Sequence, residues 1–170
     1  MKTRCAGFLL ATACLFPLSQ AVAMPREVTE RDIKLTARPI KGQTDRDVLC
    51  LAYSIFREAG TLATPAQYAV GQVHINRLMA GSWGSQLCEV VYAHAQFSWT
   101  LNPVRTQWSQ QQMQSAKAIA WNLIQGIRVK PLDSEQILHY HANYVRPTWS
   151  QQSHIVAQAG PHVFYRDIAH

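Results

Sequence analysis

Glu58 sits in the stretch "LAYSIFREAG", residues 51–60, among residues that otherwise favour a buried helix. An unpaired carboxylate beside apolar surface is costly. At about 100° per residue, Glu58 falls beside Leu51 and a little beyond Ile55, at the edge of the apolar arc. It also falls in the last turn, where the negative end of the helix dipole disfavours a carboxylate. Both effects push its pKa up. A carboxyl so raised is what a general acid needs to protonate a leaving oxygen near neutral pH. The same position is open to an ordinary ion pair with Arg57 or Arg77 on a solvated rim.

Two other sets of residues could do chemistry. His139 and His141 alternate in a strand-like stretch, and His162 follows downstream. Three histidines with an open fourth position would suit a zinc hydrolase. His-x-His is a weak signal, however, and the chain has no His-Glu-x-x-His motif. Cys50 and Cys88 are the second set. The wheel turns Cys50 to the side of Arg57, away from the apolar arc, which suits a disulfide better than a buried thiol. Two unlinked thiols remain the alternative, since sequence does not fix their separation. A disulfide would consume both and leave no cysteine nucleophile.

The start of the chain says where it works. "MKTRCAGFLLATACLFPLSQAVA", residues 1–23, has a basic start (Lys2, Arg4), an apolar run and a small-residue end at Ala21-Val22-Ala23. That is the pattern of a secretory signal peptide. The run is short for a span of roughly 20 apolar residues, so no stable membrane anchor is expected after cleavage. Cleavage leaves 170 − 23 = 147 residues, enough for one domain with a real core. It removes Lys2 and Arg4, so the net charge falls from +6 to +4. A mildly basic exported chain suits an anionic polymer. No aromatic-interleaved basic stripe or nucleic-acid motif is present, so no nucleic-acid partner is expected.

Residues 24–44 are charged without a clear period and read as an extended arm or linker. The domain then runs over 45–170. Thr44 or Asp45 caps a first helix whose apolar arc is Val48, Leu51, Ala52, Ile55, Phe56 and Ala59, with Gly60 as its stop. Thr64-Pro65 opens a second helix that presents Ala66, Ala69, Val70, Val73 and Arg77 on one face and ends at Gly81. "SQLCEVVY" is apolar and too short to type by period. A third helix spans Ser109 to Gln125 with Gly126 as its stop. "EQILHYHANYV" and "HVFYRD" alternate and read as short strands. Helices first and a small β region late make the chain α+β, mostly α.

Five blocks occur in order: "LAYSIFREAG", "YAVGQVHINRLMAGSW", "CEVVYAHAQFSWT", "YHANYVRPTW" and "GPHVFYR". Together they resemble the cell-wall hydrolase family of the spore cortex-lytic enzyme SleB, over about residues 47–166. The Gln96-Phe97-Ser98-Trp99 block and the terminal Gly-x-His-x-Phe-Tyr block are the most specific pieces. The resemblance implies a lysozyme-like fold. It implies cleavage of the β-1,4 bond between N-acetylmuramic acid and N-acetylglucosamine, leaving a 1,6-anhydro end. It places the family's catalytic glutamate on Glu58. The family often carries a second glutamate shortly afterwards, where this chain has Leu62.

A single acid suits this chemistry. Ordinary glycosidases need two carboxylates flanking the bond. A lytic transglycosylase needs one, which protonates the leaving oxygen and then takes the proton of the sugar's own C6 hydroxyl. Outside the arm and the helix start the acids are Glu58, Glu89, Asp133, Glu135 and Asp167, and none carries a partner motif. Gln96, Ser98, Tyr140 and Asn143 are expected to hydrogen-bond the sugars, and Trp99 and Trp149 to stack on them or to pack in the core. Asn76, Arg77, His141, His162 and Tyr165 are expected to support the cleft. The reading is an exported, monomeric enzyme of the periplasm or extracellular space, acting on glycan strands without cofactor or metal. A lysozyme-type hydrolase, a zinc amidase or peptidase, and a non-catalytic wall-binding module are the alternatives.

Overall fold

The computed structural model describes residues 24–94, 96–101, 109–151 and 154–166. Residues 1–23, where a signal peptide is expected, and Asp167 lie outside the described residues. Helix α1 (Asp45–Ala59) begins where Thr44 and Asp47 cap each other: the Asp47 carboxylate accepts from the Thr44 N–H (3.0 Å), and Thr44 Oγ1 accepts from the Asp47 N–H (3.3 Å). Its arc of Leu51, Ala52, Ile55, Phe56 and Ala59 is buried, and Gly60 caps its end. Asp47 is itself buried and its other oxygen accepts from the Cys88 N–H at 2.9 Å. Beside that bond the Cys50–Cys88 disulfide joins α1 to α3 (Leu87–Tyr92), the segment whose type the sequence left open.

Helix α2 (Thr64–Ala80) starts one residue earlier than its proline signal indicates, with Ala63 as cap. It departs from the one-faced helix expected of it. Every residue from Ala66 to Arg77 is buried, including Gln67, Gln72, His74 and Asn76. A helix covered on all sides must satisfy its polar groups internally. Gln72 accepts from the Val129 N–H (3.0 Å) and donates to Asn76 (2.8 Å). His74 donates from Nδ1 to Val70 O (2.9 Å), which leaves Nε2 to accept from the Ser54 hydroxyl (2.9 Å). Gly71 lets α1 and α5 close on α2: a Cβ there would meet Leu123 Cδ1 at 2.4 Å and Ile55 Cδ1 at 2.9 Å. Short α4 (Ser98–Leu101) and long α5 (Gln110–Ile124), capped by Ser109, complete the helices.

Residues 24–44 are not a free linker. Strand β1 (Ile33–Leu35) pairs antiparallel with β2 (Ile127–Val129), Val28 is buried at 3% exposure, and Glu27 bridges to Gln158. Period could not announce β1 or β2, because three residues carry too little alternation. The second sheet orders β3 (His139–Ala142), β5 (His162–Arg166) and β4 (His154–Ala159), all antiparallel. β4 was not expected from sequence. Its register slips between Ile155 and Ala157, which breaks the alternation that would mark it. Phe164 on β5 is fully buried in the core shared with α1, α2 and α5. The whole is α+β, mostly α, with a lysozyme-like fold. No described helix is long and apolar enough to cross a membrane.

Candidate active site

The last turn of α1 carries Glu58 into a cavity of about 440 Å³. α2 contributes Arg77, the segment before and into α4 contributes Gln96, Phe97 and Ser98, and β3 contributes Tyr140, His141 and Ala142. Among the described lining residues Glu58 is the one carboxylate.

Each oxygen of Glu58 has a donor. Trp99 Nε1 donates to Oε1 at 2.7 Å, and the Tyr140 hydroxyl donates to Oε2 at 3.3 Å. Burial pushes the Glu58 pKa up, and it prevails over the two hydrogen bonds and the charges of Arg57 and Arg77, which favour the anion. An indole N–H donates only, so Oε1 stays an acceptor and the acid's proton belongs on Oε2. Burial likewise pushes the Tyr140 phenol well above its ordinary range, with Glu58's charge adding to it, so Tyr140 stays a neutral donor.

Trp99 is 7% exposed, with Phe97 stacked on it at 5.5 Å and the edges of Tyr53 (5.3 Å) and Tyr92 (6.1 Å) against it. Arg57 lies 5.5 Å over its ring. It is packed as a core residue, with its N–H directed at Glu58. His74 stacks beneath Phe97 at 5.3 Å. Burial, with Arg77's charge adding to it, pushes His74 down to about 3, so the ring under the site is neutral.

Of the other expected residues, Gln96, Ser98, Tyr140, Arg77, His141 and His162 line the cavity with Glu58. Asn76 does not. It is 3% exposed and donates to Leu132 O and Ile137 O, tying α2 to the segment that leads into β3. Asn143 is exposed between the lining residues Ala142 and Tyr144. Trp149 and Tyr165 pack with His139 and His141 beside the cavity: Tyr165 stacks on His141 at 4.9 Å, and Trp149 stands 5.4 Å from both His139 and Tyr165. Phe97, Tyr144 and Val145 line the cavity and were missed, since nothing in an apolar or loop residue's type marks it as a wall.

Register divides the three histidines considered for a zinc site. His139 pairs with Tyr165 and His141 with Val163, whereas His162 pairs with Ala142. Directly opposed residues share a face and neighbours alternate, so His162 lies on the face opposite His139 and His141. It packs edge-on to Tyr140 at 5.2 Å. Among the described residues no group of three or more His, Cys, Asp or Glu is placed to hold a metal. Leu62 is half-buried, packs on the core and is not a cavity residue.

The fold is similar to that of the catalytic domain of the Bacillus cereus SleB protein, at a TM-score of 0.61 and 17% identity, covering 77% of this chain and 98% of that one. No curated protein matches the chain. The model of the cell wall hydrolase family matches residues 63–165, beginning downstream of Glu58 and including the α2, α4 and β-sheet walls of the cavity. By that match, the chain belongs to the cell wall hydrolase family.

Proposed function

We propose that the protein is an exported, monomeric peptidoglycan lytic transglycosylase in which Glu58 is both acid and base. Family membership supports a peptidoglycan-lytic enzyme. The disulfide suits an oxidising compartment, and so supports export. The mechanism rests on one observation: a buried carboxyl of raised pKa is the single described acid in its cavity.

The acid form gives its Oε2 proton to the glycosidic oxygen as the bond to the muramic C1 breaks. The carboxylate so formed is held by Trp99 and Tyr140 and faces the charges of Arg57 and Arg77. It then takes the proton of the muramic C6 hydroxyl as that oxygen bonds to C1. Glu58 ends protonated, no water is consumed, and the product carries a 1,6-anhydro ring. His141 donates from Nδ1 to Ala142 O (2.9 Å), which leaves its buried Nε2 as an acceptor. Nδ1 of His162 is also buried and has no partner among the described residues. Both atoms suit the hydroxyl and acetamido groups of a bound sugar. Gln96 and Ser98 line the same cavity.

Digestion of purified sacculi in heavy-oxygen water tests the reaction type. Transglycosylation yields anhydro ends without label. A lysozyme-type hydrolase would place the label at a reducing end.

A further inference from the structure

A second pocket, of about 350 Å³, is lined by Arg46, Leu49, Cys50, Tyr53, Tyr92, Met113 and Lys117. Arg46, Leu49, Cys50 and Tyr53 recur at helical spacing on α1, so they form one stripe along the helix that carries Glu58 in its last turn. Arg46 stands about 18 Å from Glu58 along the helix axis. The pocket's floor is uncharged. Two tyrosines, Leu49, Met113 and the disulfide make it, and Leu49 and Tyr92 are 47% and 52% exposed. Its rim carries two cations from different helices, Arg46 on α1 and Lys117 on α5, and no carboxylate is among its described lining. The adjacent Asp47 is turned away into the bonds with Thr44 and Cys88.

This lining selects a ligand with apolar stretches between anionic groups. A sugar strand is polar throughout. A short peptide carrying methyl groups and free carboxylates fits both the floor and the rim. We propose that the pocket binds the acidic stem peptide of the wall polymer while the neighbouring glycan lies in the Glu58 cavity, an assignment that rests on the proposed function. The two sites are linked through Trp99. Tyr53 and Tyr92 line the pocket and pack their edges on Trp99, the residue that holds Glu58. A peptide seated on these tyrosines would steady the donor to the catalytic carboxyl.

The test uses the double variant Arg46→Glu/Lys117→Glu, both positions being exposed. Lys41→Glu/Lys130→Glu, at two exposed lysines outside the pocket, is the control for the same change in overall charge. Release of glycan fragments is measured on intact sacculi and on sacculi stripped of stem peptides by an amidase. The double variant is expected to raise the half-saturating concentration of intact sacculi roughly five- to tenfold more than that of stripped sacculi. The control should move both alike. An equal change on the two substrates, or none on intact sacculi, overturns the proposal. In a separate arm, calorimetry with Glu58→Gln protein and a soluble stem tripeptide bearing free carboxylates reads the pocket without turnover. Binding lost when Arg46→Glu and Lys117→Glu are added to Glu58→Gln supports the assignment, and no binding, or binding that survives those changes, overturns it. Failure of the wild type to release fragments from either substrate would instead refute the reaction on which the proposal rests.

Discussion

Trp99 Nε1 stands 2.7 Å from Glu58 Oε1, across 41 residues of sequence. The contact sets one oxygen of the carboxyl as a permanent acceptor and leaves the other to carry the proton. Tyr53, Tyr92 and Phe97 fix the indole that makes it.

Trp99→Phe should therefore slow turnover more than it weakens substrate binding. Losing a hydrogen bond to a group that becomes charged costs about 1.5–3 kcal/mol, or roughly ten- to hundredfold in kcat. The bond favours the anion, so its loss also raises the Glu58 pKa, and the alkaline limb of the kcat–pH profile should move to higher pH. A profile that falls in height without moving would contradict this role.

Glu58 costs the fold stability at neutral pH. Its folded pKa lies above the ordinary value of 4.5 because of burial, so the folded state holds a proton that the unfolded state has released. That contribution is complete below 4.5 and is lost as pH rises through the folded pKa. Glu58→Gln should melt higher than wild type at pH 7, and the two curves should converge as the pH falls below the ordinary carboxylate range. Melting curves at a series of pH values check it, and a difference independent of pH would count against it.

Two histidines act in the opposite sense. Burial holds His74 near 3 and His162 near 4, against an ordinary 6.5. Folding then excludes protons that the unfolded chain binds, so their contribution is full above 6.5 and is lost as pH falls toward 4 and below. Denaturant midpoints should drop between pH 6.5 and 4. His162→Asn should flatten that drop, and an unchanged slope in the variant would show that the ring is not held neutral.

Leu62→Glu restores an acid at the position where the resembling family often has one. Leu62 is half-buried against the core and outside the cavity, so the change should cost about 1–3 kcal/mol in stability and leave glycan release within about twofold. A large gain in rate would mean that this segment reaches the cleft during turnover.

The sequence exposed what local pattern controls. Glu58 was legible because α1 is strongly amphipathic and a rim carboxylate stands out on it. Cys50 was legible because the wheel turned it off the apolar arc. Trp99's part was not, since an indole that stacks on sugar and one that packs in a core look alike until the tertiary partner is known. Gln72 was hidden and Asn76 was expected at the cleft for a related reason: α2 is covered on every side, so both are buried and bonded to Val129, Leu132 and Ile137. The arm misled because its binding is non-local. Val28 and β1 are held by β4 and β2 from the far end of the chain.

The most direct measurement is a digest of purified sacculi by wild type and by Glu58→Gln, read by mass spectrometry, with a chelator in parallel tubes. The account predicts anhydro-muramyl products from wild type, unaffected by chelation and reduced about 10²–10⁴-fold in the variant. Anhydro products at undiminished yield from Glu58→Gln, or stem peptides whose release stops on chelation, would contradict it.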